Sequence, residues 1–112
     1  MSAMKRSPMS ARAVAGAKAR IFKALGHPTR LRIVEMLAEG ERCVCEIVAE
    51  FGNSQATVSR HLDVLLRARI LDRRREGVKM IYRLALPCVL DAMPCITRAI
   101  RKASGGEAMA RS

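Results

Sequence analysis

Apolar residues recur at helical spacing through the first two thirds of the chain and then switch to alternation. Val14, Ala17, Ile21, Phe22 and Leu25 make one stripe, which predicts a helix over 12–25 that Gly26 closes. Pro28 opens a second helix, because a first-turn residue has no intrahelical use for the N–H that proline lacks. Leu31, Val34, Leu37 and Ala38 are the apolar stripe of that helix, and Gly40 ends it. A short third helix over 43–51 turns Ile47 and Val48 inward. Gly52 and Asn53 both tolerate a left-handed backbone and form a tight turn. Ser54 is then a good N-cap for a fourth helix that runs to Ala68 with Val58, Leu62 and Leu65 inward.

Two short strands follow, Ile70–Arg75 and Lys79–Leu84, joined by a turn at Glu76-Gly77-Val78 in which glycine supplies a positive φ. Pro87 opens a last helix toward Lys102. Pro94 kinks or restarts it, since Met93, preceding a proline, is biased away from helical geometry. Residues 1–11 read as a flexible basic arm and 104–112 as a disordered tail, leaving one domain over 12–103. The order helix, helix, turn, helix, hairpin is that of a winged helix-turn-helix. The expected fold class is mostly α with a small β-hairpin (α+β), about five helices in all.

Composition sharpens this picture. Half of the 112 residues are hydrophobic, but Phe22, Phe51 and Tyr82 are the only aromatics. The core must therefore be made from Leu, Ile, Val, Ala and Met, and single-strand binders that stack bases on aromatic platforms are disfavoured. A domain this small buries little surface by itself, which favours dimerisation. The formal net charge of +11 points to an anionic partner. The first twenty residues hold Lys5, Arg6, Arg12, Lys18 and Arg20 and no acid, and the stretch 67–83 carries seven bases against Asp72 and Glu76. Residues 35–50 hold five acids and only Arg42 as a base. No apolar run approaches the roughly 20 residues that span a bilayer, so no membrane association is expected. No apolar stretch follows the basic N-terminus as a secretory leader requires. A cytoplasmic chain is expected, in which Cys43, Cys45, Cys88 and Cys95 are thiols.

Once Val58, Leu62 and Leu65 are buried, the opposite face of the fourth helix presents Gln55, Ala56, Ser59, Arg60 and Asp63, with Ser54, Thr57 and His61 beside them. Gln bonds bidentately to adenine and Arg to guanine in a major groove, while an alanine or threonine methyl touches thymine. Thr57 and Ser59 also suit phosphates, which position without specifying. Arg73, Arg74, Arg75 and Lys79 are long cations on a narrow hairpin, suited to backbone or minor-groove contact. Double-stranded DNA is the expected partner, with no organic cofactor and no enzymatic activity. A small thiol enzyme such as an arsenate reductase would need a phosphate-cradling loop beside its cysteine, and nothing here resembles one. A structural RNA binder would show no preference for duplex sequence.

Four segments carry a family resemblance: Leu25-Gly26-His27-Pro28-Thr29-Arg30-Leu31-Arg32-Ile33, Glu41-Arg42-Cys43-Val44-Cys45-Glu46-Ile47, Ser54-Gln55-Ala56-Thr57-Val58-Ser59-Arg60-His61-Leu62 and Arg73-Arg74-Arg75-Glu76-Gly77. In this order and spacing they resemble the ArsR/SmtB family of metalloregulatory repressors, over about residues 15 to 100. The resemblance implies a homodimer through the first and last helices, bound to an inverted-repeat operator that it leaves when an inducer binds. It further implies that the Cys43/Cys45 pair belongs to the arsenite-responsive branch, with arsenite or antimonite, or another soft ion, as inducer.

The thiols themselves are less decisive. Within a regular helix, side chains at i and i+2 point about 200° apart, but at a fraying N-terminus they can converge, and the helix dipole there favours thiolate. Glu41 and Glu46 oppose that effect and Arg42 partly offsets them. Arsenite-binding members of the family carry a third cysteine three residues after the pair, where this chain has Val48. Members that sense cadmium and lead use a cysteine in the N-terminal arm, and this arm has none. The third donor is therefore expected from Cys88 or Cys95, of the same or the partner subunit. In an unbroken helix those two lie on one face about 10.5 Å apart, too far for both to hold one ion. The family's zinc site of Asp and His on the last helix is not supported, since Asp91 is the only acid there and His27 and His61 lie elsewhere. A disulfide or persulfide switch joining Cys43 or Cys45 to Cys88 or Cys95 is the alternative to metal sensing.

Overall fold

A computed structural model describes residues 8–105. Their elements are α1 (Ala11–Leu25), α2 (Pro28–Leu37), β1 (Arg42–Cys43), α3 (Val44–Phe51), α4 (Gln55–Arg67), β2 (Leu71–Glu76), β3 (Lys79–Leu84) and α5 (Met93–Ser104), with a 3-10 turn at Pro87–Leu90 before α5. This is a winged helix-turn-helix, mostly α with a small antiparallel sheet.

Side-chain caps set the helix starts. Ser10 accepts a hydrogen bond from the Ala13 N–H at 3.1 Å, so α1 begins at Ala11 rather than Arg12 and takes the end of the expected arm into the helix. The remainder of that arm, residues 1–7, lies outside the described residues, as does the expected tail from 106 onward. His27 Nδ1 accepts from the Thr29 N–H at 3.1 Å and, with Pro28 next, starts α2. Gly52, at φ +66°, closes α3 in the left-handed conformation.

The sheet has three strands in the order β1-β3-β2, all antiparallel, where two were expected. Arg42 and Cys43, the second of which was expected to open the third helix, instead pair with Tyr82 and Ile81. A two-residue strand is too short to leave a periodic signal, which is why the pattern hid it. Glu76 pairs with Lys79, so Gly77 and Val78 alone make the hairpin loop, with Gly77 at φ +64°.

The core lies between α2, α3, α4 and the foot of the wing. Ile33, Val34, Ile47, Val58, Leu62, Leu65 and Ile70 are fully enclosed, joined by Ala24, Leu25, Leu37, Leu71 and Tyr82. Phe22, placed by its spacing on the inward stripe, is instead 70% exposed, and Ala38 is exposed as well. Phe22 lies about 100° round the helix from Ile21, and it is Ile21 that packs against the core. The last segment also differs from expectation. Pro87 opens only a 3-10 turn, and Pro94 falls in the first turn of α5, with Met93 its first residue. Proline there removes no hydrogen bond, so it starts the helix instead of breaking one.

Candidate DNA-binding face and thiol pair

α4 is capped at its start and buried along one face. The Ser54 hydroxyl accepts the Thr57 N–H at 3.1 Å and donates to Thr57 Oγ1 at 2.9 Å, committing both side chains to the cap. With Val58, Leu62 and Leu65 buried beneath, Gln55, Ala56, Ser59, Arg60 and Asp63 stand exposed on the outer face. Gln55, Ser59, Arg60 and Asp63 are thus the exposed hydrogen-bonding side chains of that face not committed to the cap.

His61 is differently placed from its neighbours. Its ring lies 4.4 Å from that of His27, centroid to centroid, and its Nδ1 accepts from the Arg30 guanidinium at 3.3 Å. Since arginine only donates, His61 Nδ1 carries no proton in this arrangement. Burial, followed by the neighbouring His27, Arg30 and Arg60, pushes the His61 imidazole below its ordinary value. Arg30 is itself anchored, its Nε donating to the Ala24 carbonyl at 2.6 Å. His61 thus packs α4 onto the start of α2, a role that the sequence carries no periodic sign of.

The wing arginines are not equivalent. Cross-strand register puts Leu71, Arg73 and Arg75 on one face of the hairpin with Leu84, Tyr82 and Met80, and Asp72, Arg74 and Glu76 on the other with Arg83, Ile81 and Lys79. Arg74 is clasped by Glu41 at 2.8 Å and by Glu76 at 3.2 Å, and Arg83 is paired to Asp72 at 2.7 Å. Glu41, more than any other contact, holds the Arg74 guanidinium in its charged form. Arg73 donates to the Tyr82 hydroxyl at 3.4 Å. Among the described residues, Arg75 and Lys79 have no carboxylate partner, which leaves them free for an external anion. The sequence weighed Glu41 only as an acid beside the thiols; its pairing with Arg74 spans 33 positions, whereas that of Tyr82 with Arg73 spans nine, across the hairpin.

The two nearer cysteines converge. Cys43, the last residue of β1, is buried, and Cys45 in the first turn of α3 is exposed, yet their sulfurs are in bonding contact. Glu46 Oε1 accepts from the Cys43 N–H at 2.8 Å and Glu41 is engaged by Arg74, so the two acids beside the thiols both have cationic or N–H partners. Cys88, in the 3-10 turn, and Cys95, in α5, are exposed and unpaired, on separate elements rather than one helix face. Among the described residues, no three His, Cys, Asp or Glu side chains of this chain come together as a metal site. The four cysteines therefore do not form one site within a single chain.

A polar-faced helix seated after a tight turn, beside a cationic hairpin, defines a DNA-binding regulator rather than an enzyme. Residues 27–73 match the family described as "Bacterial regulatory protein, arsR family". The chain is 49% identical over 65 residues, 57% of its length and 73% of the other's, to an uncharacterised helix-turn-helix transcriptional regulator of Methanocaldococcus jannaschii. It is 45% identical over 76 residues to the arsenic resistance transcriptional regulator ArsR1 of Pseudomonas putida, covering 65% of this chain and 59% of that one. In three dimensions it resembles the homodimeric winged helix-turn-helix DNA-binding domain of a possible ArsR-family regulator from Mycobacterium bovis. The TM-score is 0.71 at 31% identity, over 88% of this chain and 94% of that one. The chain belongs to the ArsR family of transcriptional regulators. Among its described residues, no helix is long and apolar enough to cross a membrane.

Proposed function

We propose that the chain is a repressor that binds an inverted-repeat operator as a homodimer through α1 and α5. Soft thiophilic ions, arsenite or antimonite foremost, release it through Cys43 and Cys45. The observation that carries the reading is the meeting of the two sulfurs at the start of α3, the first helix of the helix-turn-helix. Soft thiolate donors select soft ions. The pair supplies two donors, and an exposed Cys88 or Cys95 of the partner subunit completes the set of three. Dimerisation is supported by the exposed Phe22 on α1 and by Ile96 and Ile100 on α5. Gln55, Ser59 and Arg60 read bases, while Arg73, Arg75 and Lys79 contact the backbone of the adjoining groove.

A thiol redox reading keeps a specific observation in its favour, since the paired sulfurs are those of Cys43 and Cys45 themselves. Titration of operator complexes with arsenite, antimonite, peroxide and polysulfide separates the two, on the wild type and on the four single Cys→Ser variants. The proposal expects arsenite to release the wild type and to fail with Cys43→Ser and Cys45→Ser. Full arsenite response in either variant overturns the site. Release by oxidants alone gives the thiols to redox sensing.

A further inference from the structure

The two basic stretches that lie far apart in the sequence meet along one side of the molecule. Between α1, the start of α2 and the far end of α4 run two adjoining hollows of about 440 and 450 Å³, which share Arg20, Arg67 and Ala68. Arg20, Lys23, Arg30, Arg67 and Arg69 line this trough and no carboxylate does. Among the described residues, none of the five is in an ion pair. Its floor is aliphatic, made by Ala17, Ile21, Ala24, Val64, Ala68 and Leu86.

Arg69 adds an independent sign. It is the one non-glycine residue with positive φ among those described, at +62°, just beyond the end of α4. Its N–H bonds the Leu66 carbonyl and the Ile70 N–H bonds that of Leu65, each at 3.0 Å, the pattern of a helix stop that glycine fills most easily. The chain carries a long cation there in spite of the strained backbone, and that cation lies in the trough.

We propose that this trough is a second DNA contact, a track for backbone phosphates continuous with the recognition helix. A second copy of the chain does not fit as the occupant, because neither α1 nor α5 contains an acid. A single small anion fits poorly too, since the cations are strung along two hollows instead of converging on one point. A polyanion matches both the length and the sign. Continuity with the proposed recognition face is direct. Arg67 follows Arg60 by two turns on the exposed side of α4, and Arg30 joins the trough to His61.

Operator binding measured against salt concentration tests this on the full chain. The slope of log affinity against log salt should fall by about 0.9 for each phosphate contact removed, counted per protomer, in Arg20→Gln and Lys23→Gln. The loss should be equal on operator and random duplex, because the track carries no sequence information. Arg69→Gly should lower the slope while raising the melting temperature, a divergence that a structural role for Arg69 would not produce. Arg32→Gln serves as the control, since Arg32 lies about 200° round α2 from Arg30 and stacks on Phe51 at 4.7 Å. An unchanged slope in the Arg20→Gln/Lys23→Gln double variant overturns the proposal, as does an equal fall in the Arg32 control. Saturable binding of octyl phosphate, with amide shifts at Ala17 and Ala68 and an unchanged slope, would assign the trough to a small amphiphilic anion instead.

Discussion

α4 and α5 are alike in sequence and opposite in structure. They have 13 and 12 residues, both carry basic residues in the last turn, and both are amphipathic. Yet α4 encloses Val58, Leu62 and Leu65 completely, while α5 buries nothing and leaves Ile96 44% and Ile100 50% exposed. α4 is capped by the Ser54 hydroxyl, whereas Ala92 before α5 offers no side-chain cap. An apolar stripe states that a face will be covered and leaves open by which chain. The face of α4 is covered from within, which fixes the recognition helix before any DNA arrives. The face of α5 is left uncovered by its own chain, and the proposed homodimer would cover it.

The largest expected effect lies on the α4 side. Leu62→Ala removes a fully enclosed side chain and should cost about 2–5 kcal/mol of unfolding free energy, read by urea titration. Loss of under about 1 kcal/mol would mean that α4 is not seated by its own chain. Ile96→Asp with Ile100→Asp should leave helical content nearly unchanged but convert dimer to monomer in sedimentation. Operator affinity should then fall about 100-fold or more, as the two half-sites no longer act together. A dimer that survives both changes breaks the comparison, because α5 would then not be the covered face.

The smallest effect concerns His61, for which α5 has no counterpart. Its imidazole is pushed below its ordinary value by burial and by His27, Arg30 and Arg60, so the unfolded chain takes up the proton first as pH falls. The wild type should lose melting temperature as pH falls below about 6.5, and His61→Gln should lose less over the same range. Equal slopes would show that His61 packing against His27 does not depend on its charge.

Much of this was legible in the chain itself. Val34, Leu37, Ile47, Val58, Leu62 and Leu65 sit where their spacing put them, and Ser54 and Gly77 act as the cap and turn that their chemistry suggests. These are short-range facts, decided by helical and strand periods and by a few backbone preferences, so a single sequence contains them. Phe22 and Ala38 mark the limit, since period alone does not say which edge of a stripe meets the core.

What tertiary structure alone decided was pairing. Only the strand register shows that Cys43 lies beside Ile81, that Glu41 and Glu76 pair with Arg74, and that, among the described residues, Arg75 and Lys79 have no carboxylate partner. Only the packing of α1 on α4 brings Arg20 and Lys23 to Arg67 and Arg69. Convergence of the two sulfurs depends on β1, a strand that exists because β3 is there to pair with it. Periodicity is a local property of the chain, whereas a contact between distant residues is a property of the closed fold. The recognition helix was therefore visible from the residues alone, and the grading of its surrounding cations was not.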